Sequence, residues 1–287
     1  MLPLRNSNTL SVRFSAIIAA MLISALACNI YGVNEPDDGD ADSPSPAPSN
    51  TPFPEPTIAA TQPPDVAYEG ISFSYGDAVA LHVNVETILA VDEDEAPPWG
   101  VFPEHFQFSF VDYVLPDTFH QARILVYPVA EFEAINPLVT DTIAALRDVL
   151  ASRPAVPGEN LPFLPMWNAG ALIQTQIEYL DFENGSGMRY LTQHGQATWP
   201  INNHDLFYTF QGLTSDGKYY IAAIMPVSNP ALQATGDDIP GGDYQAFGDT
   251  FLNYINEIKA LLMGQPNSSF IPDLSILDAL FQSLRFE

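Results

Sequence analysis

Cysteine occurs once in this chain of 287 residues, at Cys28, so no internal disulfide can form. Basic side chains are also scarce: nine Lys and Arg stand against 35 Asp and Glu, a formal net charge of −26 at pH 7. Phosphate backbones need Lys and Arg to neutralise them, which excludes nucleic acid as a partner and disfavours docking of the protein surface on anionic headgroups. Neither G-x-x-x-x-G-K-[ST] nor G-x-G-x-x-G occurs, so the loops that cradle nucleotide phosphates are missing. There is no G-x-S-x-G elbow, and His82, His105, His120, His194 and His204 form neither an H-E-x-x-H motif nor an i, i+4 pair. No cofactor and no metal is therefore expected. Long apolar runs are missing too. The run "FSAIIAAMLISALA" has 14 residues, short of the roughly 20 that a spanning helix needs.

That run has its own meaning. Arg5 and Arg13 precede it, no acid accompanies it, and small residues follow, as in a secretory signal peptide over residues 1–27. Ser24-Ala25-Leu26-Ala27 leads directly into Cys28, which resembles the lipobox of bacterial lipoproteins, with Ala25 standing where leucine is most usual. The plainer reading is an ordinary secretory signal with an incidental cysteine. The resemblance implies cleavage before Cys28, its lipidation, and a partner in the membrane through the lipid anchor, on the outer face of the cytoplasmic membrane or the cell surface. Several acyl chains on one residue anchor stably where a single chain binds reversibly.

Residues 28–66 read as the lipidated cysteine and a tether. "NEPDDGDADSPSPAPSNTPFPEPTIAATQPPD" is built from Pro, Ser, Thr, Asp and Ala and holds almost nothing large and apolar, so ordering it would cost more entropy than burial returns. At roughly 3 Å per residue such a segment reaches about 100 Å. Its Asp37–Asp42 cluster lacks the spacing and closing glutamate of a calcium loop.

Residues 67–287 form the globular part, expected as a single α+β domain: a mostly antiparallel sheet of about seven strands packed with about three helices. "GISFSY" alternates. "ALHVNVET" sets Leu81, Val83 and Val85 on one face, and "FQFSF" does the same with Phe106, Phe108 and Phe110. "RILVYPV" is a nearly continuous apolar run, as in a strand covered on both faces. "LIQTQIEYLDF" and "MRYLTQ" flank Asn184-Gly185, a hairpin signal, and "DLFYTFQGL" and "KYYIAAIMPV" flank Thr214–Gly217. Asn136 is expected to cap a helix with Ile143, Leu146, Val149 and Leu150 on one face. "YQAFGDTFLNYINEIKALLMG" carries Phe247, Phe251, Tyr254, Ile255, Ile258, Leu261 and Leu262 at the 3.6 period, and a last helix carries Leu274, Leu277, Leu280, Phe281 and Leu284.

"GISFSYGD", "DGKYYIAAIMPV" and the closing "ILDALFQSLRF" together resemble the PsbP-like fold, an α/β/α sandwich around an antiparallel sheet. The resemblance implies accessory roles outside the cytoplasm and brings no catalytic residues.

The tryptophans stand out. Trp99 in "PPWG", Trp167 in "LPMWNAG" and Trp199 in "TWPINN" all fall in expected loops beside or near proline. With the amides of Asn168, Asn202 and Asn203 and the imidazole of His204, they offer the flat faces and hydrogen bonds that sugar or peptide recognition uses. The alternative is that each indole plugs its own loop onto the core. Carboxylates are too many for any pair to be singled out for glycoside hydrolysis, and Ser186 sits among hairpin glycines. The sequence therefore reads as a non-catalytic anchored domain that binds a glycan, a peptide or an envelope protein. A carboxylate-dependent glycan hydrolase and an accessory factor of a membrane complex are the alternatives.

Overall fold

The computed structural model describes residues 63–158 and 160–287. The signal-like segment, Cys28 and nearly all of the tether lie outside the described residues. The described residues form one compact unit.

The chain runs through β1 (Val66–Tyr68), β2 (Ile71–Phe73), β3 (His82–Ile88), β4 (His105–Val111), β5 (Arg123–Pro128), α1 (Val129–Ile135), α2 (Val139–Ser152), β6 (Gly170–Phe182), β7 (Gly185–Gly195), β8 (Phe207–Thr214), β9 (Tyr219–Pro226), α3 (Tyr244–Met263), α4 (Leu274–Gln282) and β10 (Arg285–Phe286). Seven strands make one antiparallel sheet in the order β3-β4-β5-β9-β8-β7-β6. The fold is α+β.

Alternation splits the core into two layers, because successive strand residues point to opposite faces. On one face Phe108, Ile124, Ile221, Ala223, Tyr208 and Phe210 meet Ile255 and Leu262 of α3 and Leu277, Leu280 and Phe281 of α4. On the other, Leu125, Tyr127, Tyr220, Ala222, Met188, Tyr190 and Leu213 meet Phe132 of α1 and Ile143 and Leu146 of α2. The run "RILVYP" is apolar throughout because β5 feeds both layers. Phe210 lies across the neighbouring strand at Gly187, where any Cβ would collide with its ring.

One buried charge pins the first layer. Arg189, 1% exposed, reaches Asp278 of α4 at 3.2 Å and Glu178 of β6 at 3.5 Å, and donates to the Gln176 carbonyl. Tyr208 Oη donates to the same Asp278 at 3.0 Å. Burial raises the Asp278 carboxyl, while Arg189 and the tyrosine hydrogen bond pull it down.

Several local expectations are corrected. There are four helices among the described residues, since α1 precedes the expected one. Asn136 closes α1, its N–H bonding the Phe132 carbonyl, and also serves the start of α2: its side-chain oxygen accepts from Leu138 N at 3.3 Å, although Leu138 occupies the N-cap position. The Asn136 side-chain nitrogen donates to Pro98 O at 2.9 Å and Val101 O at 3.1 Å. Leu81 precedes β3 and is 68% exposed, leaving Val83 and Val85 to pack. The β6–β7 turn is Glu183-Asn184, so Gly185 and Ser186 already belong to β7. Asn184 hydrogen-bonds both backbone groups of Phe286 and so holds the chain end. β1 starts at a buried Val66, one residue before the expected domain boundary, and pairs with β2, which also pairs β10.

Candidate functional site: an aromatic cleft around Arg123

Helices α1 and α2 cover only part of their face of the sheet. Beside them the β3–β4–β5 edge carries Ile88, His105, Gln107, Arg123, Leu125 and Tyr127, which floor a cleft of about 260 Å³. Trp99 and Phe102 wall one side, and Pro165, Met166 and Trp167 the other. Two tryptophans separated by 68 positions thus line the same cleft.

Each wall is held by buried polar side chains. The Trp99 turn, Pro98–Gly100, is tied to the α1–α2 junction by the two Asn136 bonds described above. The Trp167 loop is staked at several points. Gln211 of β8 accepts from Leu164 N at 2.9 Å and donates to Leu164 O at 3.2 Å, treating the loop as a strand partner. Its remaining valences go to Thr209 Oγ1 and the Tyr220 hydroxyl, so the buried amide is fully satisfied. Tyr190 Oη donates to Pro162 O, and Leu161 N donates to Gln174. Beyond Trp167, Gln196 donates to the Asn168 carbonyl at 2.8 Å. A loop held this way presents its indole in a fixed pose, which lowers the entropy cost of binding.

Trp167 is also packed among rings. It stacks on His120 with centroids 5.0 Å apart and 15° between planes, and meets Phe163 at 4.9 Å and His194 at 4.9 Å. Phe207 closes the cluster against both histidines. Burial, followed by Arg123 and His204 against the pull of Asp205, lowers His120 to about 4; burial and then His120 bring His194 to about 4. His194 Nδ1 is buried without a hydrogen-bond partner. On the floor, burial lowers His105 as well, although its Nδ1 donates to Pro103 O at 2.9 Å. The Tyr127 hydroxyl is pushed up by burial.

Arg123 is the cation of the cleft. Its Nε is buried with no hydrogen-bond partner, and no carboxylate lines the cleft. Arg153, Arg189, Lys218 and Arg285 each pair with an acid. Arg123 pairs with none among the described residues.

Of the residues singled out in the sequence, Trp99 and Trp167 come together, with Asn168 adjacent and its carbonyl engaged by Gln196. Trp199 is not among the residues lining this cleft. It is 38% exposed and lies over Gly236, where a Cβ would collide with the indole. Asn202 is fully buried and its side chain serves the loop: it accepts from His204 N and Asp205 N and donates to Pro200 O and Asp205. Asn203 donates to Asn229 O and Leu232 O. His204 pairs through Nδ1 with Asp205 at 2.6 Å and packs near Phe119. No group of three metal-ligating side chains occurs among the described residues. Sequence reading missed Arg123, His105, Tyr127, Phe102 and Met166. Position in a strand conveys side and period, not whether a guanidinium finds a partner.

No family model matches this chain, and no curated protein and no solved structure is significantly similar to it.

Proposed function

We propose that the chain is a lipid-anchored protein of the cell envelope, held through Cys28, whose α+β domain binds a small ligand in the Trp99–Trp167 cleft and releases it unchanged. The observation that carries this reading is the convergence of two loop tryptophans on one preformed cleft, each fixed by buried amides. Such a cleft, with apolar walls and a few placed polar groups, is what small-ligand sites have in common. Glycoside hydrolysis needs two carboxyl groups flanking the bond, and the lining holds none. Elsewhere Asp278 is engaged by Arg189 and the Tyr208 hydroxyl.

Thermal-shift screening of the purified protein against monosaccharides, amino acids and small aromatic acids tests the reading. Hits should raise the melting temperature, be recovered with unchanged mass, and vanish in Trp99→Ala and Trp167→Ala but not in Trp199→Ala. Hits that survive both cleft replacements, or that are recovered chemically altered, would overturn it.

A further inference from the structure

The geometry points to a carboxylate as the group this cleft recognises, borne on a single ring: an aromatic acid or an acidic sugar, bound through Arg123. This rests on the binding reading above and specifies its ligand.

Three observations lead there. First, the guanidinium carries an unsatisfied donor. Its Nε is shielded from solvent without an acceptor, in a protein with 35 acids and nine bases. A buried donor left unpaired is costly, and the groups that sense Arg123 are His105, His120 and Tyr127, none of them anionic at neutral pH. The missing counter-charge is one the ligand can bring. Second, the guanidinium fork matches a carboxylate in a plane, and one cation balances one negative charge. A phosphate dianion would retain uncompensated charge among neutral histidines. Third, the walls are flat. Trp99, Phe102, Tyr127 and Trp167 surround a space of about 260 Å³, just under the range typical of drug-sized ligands, which suits one ring rather than a chain of them.

The Arg123 side chain makes no ion pair among the described residues and its Nε no hydrogen bond, so its removal should leave the fold intact. Burial without a partner predicts that Arg123→Gln melts at the wild-type temperature or above. A lower melting temperature, or failure to fold, would show that the guanidinium already has a structural partner and would overturn the inference.

Isothermal calorimetry on the purified full-length protein, with matched charged and neutral probes, provides the direct test. Benzoate is compared with benzamide, and glucuronate with glucose. A charge-assisted bond to a desolvated guanidinium should favour the acid of at least one pair by about 10–100-fold. Arg123→Gln should abolish that preference, and Arg123→Lys should restore part of it. Preference confined to benzoate assigns aromatic acids, and preference confined to glucuronate assigns acidic sugars; either supports the inference. Equal affinity for acid and neutral probe, or a preference that survives Arg123→Gln, would overturn it while leaving cleft binding standing. Absence of binding by both acids at millimolar concentration would overturn it as well, and thermal-shift hits lost on replacing Trp99 or Trp167 would then show that only the ligand class was wrong.

Discussion

Acidification should loosen this domain through two histidines before most carboxylates titrate. His120 and His194 are held neutral by burial against Trp167 and Phe207, each at about 4, against about 6.5 for an exposed imidazole. A depressed pKa means the unfolded chain binds the proton more readily than the folded one. Stability is then complete above about pH 6.5 and is lost as pH falls towards about 4. At pH 5 the linkage relation gives a loss of about 2 kcal/mol for each histidine, so about 4 kcal/mol for the pair as an upper figure. That is a large share of the 5–15 kcal/mol typical of a folded domain. Asp and Glu also titrate near the lower end, so the quantity to measure is a difference. Urea unfolding at pH 7.5, 6.5, 5.5 and 5.0 should be compared between the wild type and His120→Phe/His194→Phe, which keeps the ring packing and removes the titration. The wild type should lose about 4 kcal/mol relative to the variant between pH 7.5 and 5.0. A difference that stays flat across that range would refute the buried, neutral assignment of both rings.

Further expectations follow from single contacts. Gln211→Leu strips partners from both backbone groups of Leu164 and should cost about 2–4 kcal/mol in urea unfolding, while broadening the indole resonance of Trp167. Arg189→Met leaves Asp278 buried without its counter-charge and should cost about 3–5 kcal/mol; adding Asp278→Leu should recover most of it, and no recovery would deny the ion pair its role. Cys28→Ala should move the protein from the membrane fraction to the soluble one or leave it unprocessed, and unchanged fractionation would remove the anchor from the account.

The seven strands of the main sheet, and β2 within "GISFSY", were legible because alternation and two hairpin turns state them locally. β1 and β10 were not, because neither lies in a longer alternating stretch and their pairing joins the two ends of the domain, with Glu287 N bonding Gly70 O. α1 escaped for a related reason. Its seven residues follow β5 directly, and Asn136, which looks like the start of a helix, is buried at the end of one. The site was half legible. Loop tryptophans beside or near prolines pointed to Trp99 and Trp167, which line one cleft, but Trp199 carries the same signal and packs on Gly236 instead. Asn202 and Asn203 show why amide-rich loops mislead: the side chains that would suit a ligand also suit the loop's own backbone. Arg123 was hidden inside "RILVYPV", since the absence of a partner is a property of three-dimensional surroundings.

The most direct test of the cleft uses 5-fluorotryptophan, which places one fluorine on each of the three indoles. With the signals assigned by single Trp→Phe replacements, benzoate or glucuronate is titrated and the fluorine spectrum followed. The account predicts that the Trp99 and Trp167 signals move together along one saturation curve while Trp199 stays still. Movement of Trp199, or of only one of the other two, would contradict a shared site.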